Sequence, residues 1–534
     1  MKRTIRLGII VLLVVSVMLA GCTSKTNADK NKITFSGEEI NGVFNPLFAQ
    51  VASDIDICNL IFDSLLEISS DGEVVPGLAD YKTEDDGSKY IFTLTDAKFS
   101  DGTDVTAEDI EFTLEVLADP SYAGSYDLSG LGIVGFWDYL DGVSDKISGV
   151  EIIDDKIISV AFESASAAIP AAFTFGILSE KYYGSTYTQG DLSGVEALNE
   201  KPMGSGQYIL SEYESGSNVV LVANEAYRKG APKIKRVVYE STAIGEELDK
   251  LKLGQADMTV VPSTVEYINV ANSMDGFEKE TFASNVIGTI GFDCSDELLS
   301  DVAIRQAIAY ATNRDAFIKQ VFGSQAEVSN VVDSRNSFTF TEDVNKYEFN
   351  IQKAKETLEN SGYKLQNGVY VKDGKKAEFT MLAESPNEVN DVLLPVMKNN
   401  LSEAGIIMNV QIVDFNTLLD KVFEGSAQSW MFGWTMTSEP DDAAALFETD
   451  GSMNIHNYSN EKLDALYAQG REHTDRNKRK EVYVQANKII NEELPCIPLY
   501  ERNSMLVYKN TLKNITVSGN RSVFKDFYKI EVAD

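Results

Sequence analysis

The chain has 534 residues, 43% hydrophobic and 10% aromatic, with 47 basic residues against 82 acidic ones and a formal charge of −35. That apolar content supplies buried cores and excludes wholesale disorder, and about 150 residues per domain suggests about three or four structural units. So negative a field repels a phosphate backbone, and with no basic run to offset it the composition excludes a general nucleic-acid binder.

Lys2, Arg3 and Arg6 precede an uncharged apolar run over residues 7–20. At about 1.5 Å per residue the run spans about 21 Å as a helix, short of a hydrocarbon core of about 30 Å, so residues 1–21 read as a signal peptide. Leu19-Ala20-Gly21-Cys22 resembles a bacterial lipobox and makes Cys22 the candidate lipidation site. The alternative is a secretory leader followed by a chance cysteine. Residues 22–32 then form a lipidated N-terminus and polar tether, with acyl chains supplying the membrane attachment. The other cysteines, Cys58, Cys294 and Cys496, leave room for one disulfide but not for a disulfide scaffold, and at least two of them read as small buried groups.

Further along, Lys89-Tyr90-Ile91-Phe92-Thr93-Leu94-Thr95 alternates like a strand, entered through the turn Asp85-Asp86-Gly87-Ser88. Thr106 caps a predicted helix with Glu108 and Asp109 in its first turn, a packed stripe of Ile110, Leu114 and Leu117, and a limit at Pro120. Strands are predicted over 156–162, 218–223 and 233–239, and the turn Lys201-Pro202-Met203-Gly204-Ser205-Gly206 leads into another at 207–210. Its glycines read as a tight turn with close backbone packing rather than a phosphate cradle, because the strand–loop–helix context is missing. A short helix over 246–253 ends at Gly254, and strands follow over 256–261 and 287–292. Asp301 caps a predicted helix that packs Ile304, Ala307, Ile308, Ala311 and Phe317, and two more helices are predicted over 461–469 and 477–492. Strands alternating with helices over this length predict mixed α/β lobes.

Catalytic signatures are scarce. His456 and His473 stand 17 apart, outside any His-Glu-x-x-His pattern, and read as surface or hydrogen-bonded residues rather than metal ligands. The sequence has no Cys-x-x-Cys pair, Gly-x-Ser-x-Gly elbow or Walker A motif, so no catalytic residue, metal or cofactor is assigned. Two acidic clusters, Asp101, Asp104, Glu108 and Asp109, and Glu439, Asp441 and Asp442, keep an extracellular hydrolase as an alternative, although a glycosidase needs opposed carboxyls rather than sequence neighbours. A non-transport structural surface protein is the other alternative. Trp430-Met431-Phe432-Gly433-Trp434 reads equally as a buried strand or as a rigid pocket wall, extended by Thr435-Met436-Thr437-Ser438-Glu439-Pro440.

Five regions in order, the first made of three segments, carry a resemblance to a known family. Val75-Pro76-Gly77-Leu78-Ala79 is followed by Tyr90-Ile91-Phe92-Thr93-Leu94 and by residues 98–110 from Lys98 through Asp101-Gly102-Thr103 to Ile110. Pro202-Met203-Gly204-Ser205-Gly206-Gln207-Tyr208 departs from the family's Pro-x-Gly-Thr-Gly-Pro-Tyr turn at Ser205 and Gln207. The helix Asp301-Val302-Ala303-Ile304-Arg305-Gln306-Ala307-Ile308-Ala309-Tyr310-Ala311, then Gly433-Trp434, then Glu493-Leu494-Pro495-Cys496-Ile497-Pro498-Leu499 complete the set. Over about residues 32–534 the chain resembles family 5 of the bacterial extracellular solute-binding proteins, the oligopeptide- and dipeptide-binding lipoproteins of ABC importers.

The resemblance implies a periplasmic-binding-protein-like fold, two α/β lobes around a ligand cleft with an additional domain in the N-terminal half. It places the first lobe at 30–75, 200–290 and 501–534, the additional domain at 76–199 and the second lobe at 291–500. It implies a monomeric receptor outside the cytoplasmic membrane that captures a peptide or similarly sized solute, closes on it and delivers it to permease subunits. Asn45-Pro46 resembles the start of the family's pocket loop and places Gln50 and Ala52 near ligand; the family's pocket tyrosine falls on Tyr122 or Tyr126. Trp434 matches the pocket aromatic beside Thr435. Where oligopeptide binders carry an aspartate for the peptide ammonium this sequence has Thr437, and where one carries an arginine it has Met431. Thr437 offers acceptors but no charge for a buried ammonium, and Glu439 or another acid is the candidate spatial substitute that keeps peptide binding as the expectation.

Overall fold

The computed structural model describes residues 31–473 and 475–533. The expectations for the leader, for Cys22 and for the tether up to residue 30 lie outside the described residues. Among those described, no helix is long and apolar enough to cross a membrane.

An eleven-stranded mixed sheet organises the molecule. Its path runs Ile407–Val413, Glu378–Glu384, Ser429–Thr435, Phe277–Phe292, Cys496–Lys509, Met258–Pro262, Lys32–Gly37, Arg236–Ser241, Asn218–Ala223 and Tyr208–Glu214, with Ala326–Glu327 added beside Cys496–Lys509. The two long strands at its centre pair antiparallel from Phe277 with Lys509 to Gly291 with Cys496, and so join the two halves. Their register shifts between Ala283 and Val286, where Asn285 takes a left-handed φ of 58°. The extra backbone there bends the strand.

A second, four-stranded antiparallel sheet orders Ala79–Glu84, Lys89–Leu94, Ile157–Ala161 and Val150–Asp154. Its buried Phe92 belongs to one continuous core with Phe35, Phe62, Phe175, Tyr208 and Phe524, so this sheet is fused to the first half of the molecule. Each such side chain contributes about 1.5–3 kcal/mol on leaving water. The other half has its own cores, around Phe292, Ile304 and Phe379 and around Phe447, Tyr467 and Ile490. Separate cores on either side of two shared strands leave space between the halves.

Local chemistry explains most elements. In the helix Ala107–Leu117, the Asp109 carboxylate accepts the Thr106 N–H at 2.8 Å and the Glu180 N–H at 2.8 Å. Asp301 caps Val302–Ala311 by accepting from Ala303 N at 3.0 Å. That helix stops before Phe317, which the sequence placed on the same element. Asn313 starts a new helix, Arg314–Val321, by accepting from Ala316 N at 3.2 Å. The strand expected at 287–292 begins ten residues earlier, and the segment expected only to end a helix at 494–500 enters the strand Cys496–Lys509. Gly204 and Gly206 lie against the backbone of Ile61, where an added Cβ would meet Ile61 O at 2.2 and 2.6 Å. Gln207, one of the departures from the family turn, accepts from Tyr528 N at 2.6 Å and so ties the C-terminal segment to this turn. Cys58, Cys294 and Cys496 are free thiols, Cys58 and Cys496 buried.

Candidate functional site

A cavity of about 1520 Å³ lies between the halves. One side comes from the hairpin Leu66–Ile68/Val74–Pro76, the four-stranded sheet and the segments 125–131 and 167–174. The other comes from residues 435–453 and the helix Arg476–Glu493, and Asn285 and Asn520 sit at the bend of the long strands. Contacts among the described residues bridge the sides: Ser438 Oγ donates to Gly72 O at 3.0 Å, Ala167 N donates to Arg471 O at 3.2 Å, and Arg476 pairs with Glu73.

Strand pairing delivers the central segment. Ser429–Thr435 is held against Phe277–Phe292, and the chain leaves it into a loop capped by its own side chains. Thr437 N donates to Asp442 Oδ2 at 2.6 Å, and Glu439 N donates to Thr437 Oγ1 at 3.0 Å. Glu439 pairs with Arg479, while Asp441 lies 3.8 Å from Arg479 and 3.7 Å from Arg471 and accepts from Tyr483 Oη at 2.5 Å. Arg471 also reaches Glu448 at 2.7 Å, and the guanidinium of Arg476 lies 4.7 Å from the centre of the Phe338 ring. Burial pushes the Asp442 carboxyl up to about 6, opposed by the Thr437 amide, and pushes Glu439 up to about 7 against the pull of Arg479.

Of the candidate ligand-binding residues, Thr435 and Thr437 line this cavity, and Met436, Ser438, Glu439, Asp441 and Asp442 from the same sequence segment line it with them. Trp434, between them and the core, is half-buried with its ring centre 5.0 Å from that of Phe432, and its Nε1 has no hydrogen-bond partner. Met431 is 4% exposed and packs into the core around Phe379. Gln50, Ala52, Tyr122 and Tyr126 lie outside the lining: Gln50 Nε2 donates to Ala123 O at 3.3 Å, and Ala52 opens the helix Ala52–Ile61. Tyr122 Oη donates to Leu47 O at 2.7 Å and accepts from Tyr126 N at 3.3 Å. Ser125 and Asp127, on either side of Tyr126, do line the cavity.

Sequence reasoning did not assign Glu73, Arg471, Arg476 or Arg479 to the site. The available signal was the i, i+3 spacing of Arg476 and Arg479, which puts both guanidinium groups on one face of a helix. His456 is fully buried between the rings of Trp430 and Phe447, at 5.2 and 5.3 Å, and burial pushes its pKa down to about 4. Among the described residues, no group of three or more His, Cys, Asp or Glu is placed to hold a metal ion.

A cleft between two α/β halves joined by shared strands, with a third unit fused to the first, defines a periplasmic-binding-protein-like fold. A family model described as bacterial extracellular solute-binding proteins, family 5, middle region, matches residues 73–454, and the chain belongs to this family. It is 25% identical to the oligopeptide-binding protein AppA of Bacillus subtilis strain 168, over 99% of this chain and 98% of that protein. The structure of Bacillus subtilis AppA with a nonapeptide superposes with a TM-score of 0.81 at 25% identity, covering 94% of this chain and 99% of that one. Lactococcal OppA, closed on an endogenous peptide, has the same fold with a TM-score of 0.83 at 20% identity, covering 94% and 99%.

Proposed function

We propose that this protein is the solute-capturing receptor of an ABC importer and that its solute is a peptide or a molecule of similar size. The observation that carries the reading is the cavity of about 1520 Å³ walled by both halves. It exceeds the roughly 300–1,000 Å³ usual for small-molecule sites and suits an extended solute. The peptide ligands of AppA and OppA point the same way. In this reading 30–75, 200–290 and 501–534 form the first lobe, 76–199 the additional domain and 291–500 the second lobe. Thr435 and Thr437 face the solute, Trp434 backs them as an aromatic wall, and Gln50, Ala52, Tyr122 and Tyr126 frame the rim. The acids Glu439 and Asp441 are engaged by Arg479 and Arg471, which favours a binding role for this cluster over hydrolysis.

The mature protein works as a monomer outside the membrane, tethered through lipid on Cys22, and hands its solute to the permease. Mass spectrometry of solute released from protein purified under native conditions is expected to find a peptide-sized compound bound one to one and unaltered. Turnover of that compound by the purified protein would overturn the receptor reading. Cys22→Ala is expected to release the processed protein from the membrane; its retention there after leader removal would exclude lipid attachment.

A further inference from the structure

We infer that the cavity selects solutes carrying positive charge in addition to any terminal ammonium; this rests on the reading of the cavity as the solute site. Among the described residues, its lining contains nine carboxylates, three arginines and no lysine. Each arginine is already engaged: Arg476 by Glu73, Arg479 by Glu439 and Asp441, and Arg471 by Glu448 and Asp441. Asp86, Asp127, Asp442 and Asp450 have no cationic partner among the described residues, and Glu84 has only the exposed Lys82 at 3.1 Å.

These four aspartates reach the cavity from both halves. Asp86 occupies the left-handed position, φ 55°, of the turn before the strand Lys89–Leu94. Asp127 is oriented by Ser129, whose N–H and Oγ both donate to Asp127 Oδ1, at 2.9 and 2.6 Å, with no bond to Oδ2 among the described residues. From the other half, Asp442 is fixed through Oδ2 by the Thr437 amide, and Asp450 follows the helix Asp442–Phe447. Closing a cleft on a neutral or anionic solute would strip water from these carboxylates without supplying a countercharge. A lysine or arginine side chain offsets that cost from both walls at once. Low-dielectric walls concentrate the field, so the preference also reaches approaching solutes.

Isothermal titration of the intact mature chain with three pentapeptides, Ala-Ala-Ala-Ala-Ala, Ala-Lys-Ala-Lys-Ala and Ala-Glu-Ala-Glu-Ala, tests this. The lysine peptide is expected to bind at one to one and at least tenfold more tightly than the alanine peptide, with the glutamate peptide weakest. Combined substitution Asp86→Asn, Asp127→Asn and Asp450→Asn, at exposed positions that leave the cores intact, should shrink the lysine-to-alanine ratio below threefold. Equal affinities for the three peptides, or a lysine preference that survives the triple substitution, would overturn the inference and leave the receptor reading standing. So would a solute without net positive charge released from native protein. If no peptide binds and no solute is released, both the receptor reading and the inference fall.

Discussion

By the family resemblance Thr437 falls where oligopeptide binders are expected to carry an acid, and its backbone amide donates to Asp442 Oδ2 at 2.6 Å. That bond brings a carboxylate beside residue 437 from five residues later in the same loop. Asp442→Asn is expected to weaken free-amine peptides by about 1–3 kcal/mol while sparing N-acetylated analogues, since only the former present a cation. Calorimetry on matched peptide pairs checks it, and equal losses for both would remove Asp442 from ammonium recognition. Trp434 is expected to act through its indole face and its unpartnered Nε1. Trp434→Ala should raise Kd by an amount equivalent to about 1–3 kcal/mol, with Trp434→Phe recovering the part that comes from contact area.

Among the elements, the central antiparallel pair is the most demanding. Gly291, on Phe277–Phe292, lies beneath the Trp430 indole, where an added Cβ would come within 2.2 Å of Nε1, and Gly288 lies equally close to the Tyr500 ring. Neither ring can retreat, because Trp430 is buried among Leu382, Leu418 and Val422, and Tyr500 packs on Phe317 and Phe322. Gly291→Ala is expected to lower stability by about 1–3 kcal/mol through overpacking, read from the urea unfolding midpoint. An unchanged midpoint would mean that the sheet yields more readily than its packing implies. The signature helix Val302–Ala311 has a comparable anchor: buried Arg305 donates through Nε to Leu494 O at 2.9 Å and through Nη2 to Glu493 O at 2.6 Å. These bonds satisfy carbonyls at the end of the helix Arg476–Glu493, where the chain turns through Leu494 at φ 48° into the central strand.

At the scale of the whole molecule, acidity sets the response to pH. Burial raises Asp56, Glu115 and Glu439 to about 7 and Asp109 and Asp442 to about 6, against about 4 in an unfolded chain. Each therefore binds its proton more tightly when folded, so stability falls as pH rises from about 4 to 7. The formal charge of −35 works in the same direction through self-repulsion. Against burial, Lys229 and Arg521 hold Glu67 and Asp526 low, and their contribution is lost only at more acidic pH. Thermal unfolding is expected at a higher temperature at pH 5 than at pH 8, and the reverse order would contradict the balance of these carboxyls. The contacts across the cleft have a separate signature. The Glu73–Arg476 pair and the Ser438 bond to Gly72 span the cleft, so Arg476→Ala should weaken peptide binding mainly by faster release, measured as koff. A change confined to kon would place Arg476 outside the closed arrangement.

Local chemistry alone determined much of this protein. Caps and periodicity placed the helices that begin at Ala107 and Val302, because an Asp or Thr at the boundary and an apolar stripe are properties of a short stretch. Ordered motifs from Val75 to Leu499 carried the family, and composition carried the charge. The extent of Phe277–Phe292 was not legible, since its first half is mostly exposed and polar and becomes a strand by pairing with Cys496–Lys509, more than two hundred residues away. The break before Phe317 depended on Asn313 competing as a cap, a choice that apolar spacing does not reveal. The site was legible only as a segment, 430–442. Its arginine partners, the Glu73 bridge and the convergence of Asp86 and Asp127 with Asp450 depend on a cavity whose walls are distant in sequence. Charge pairing acts through space over a few ångströms, so only the tertiary structure decided which acids meet an arginine and which line the cavity without one.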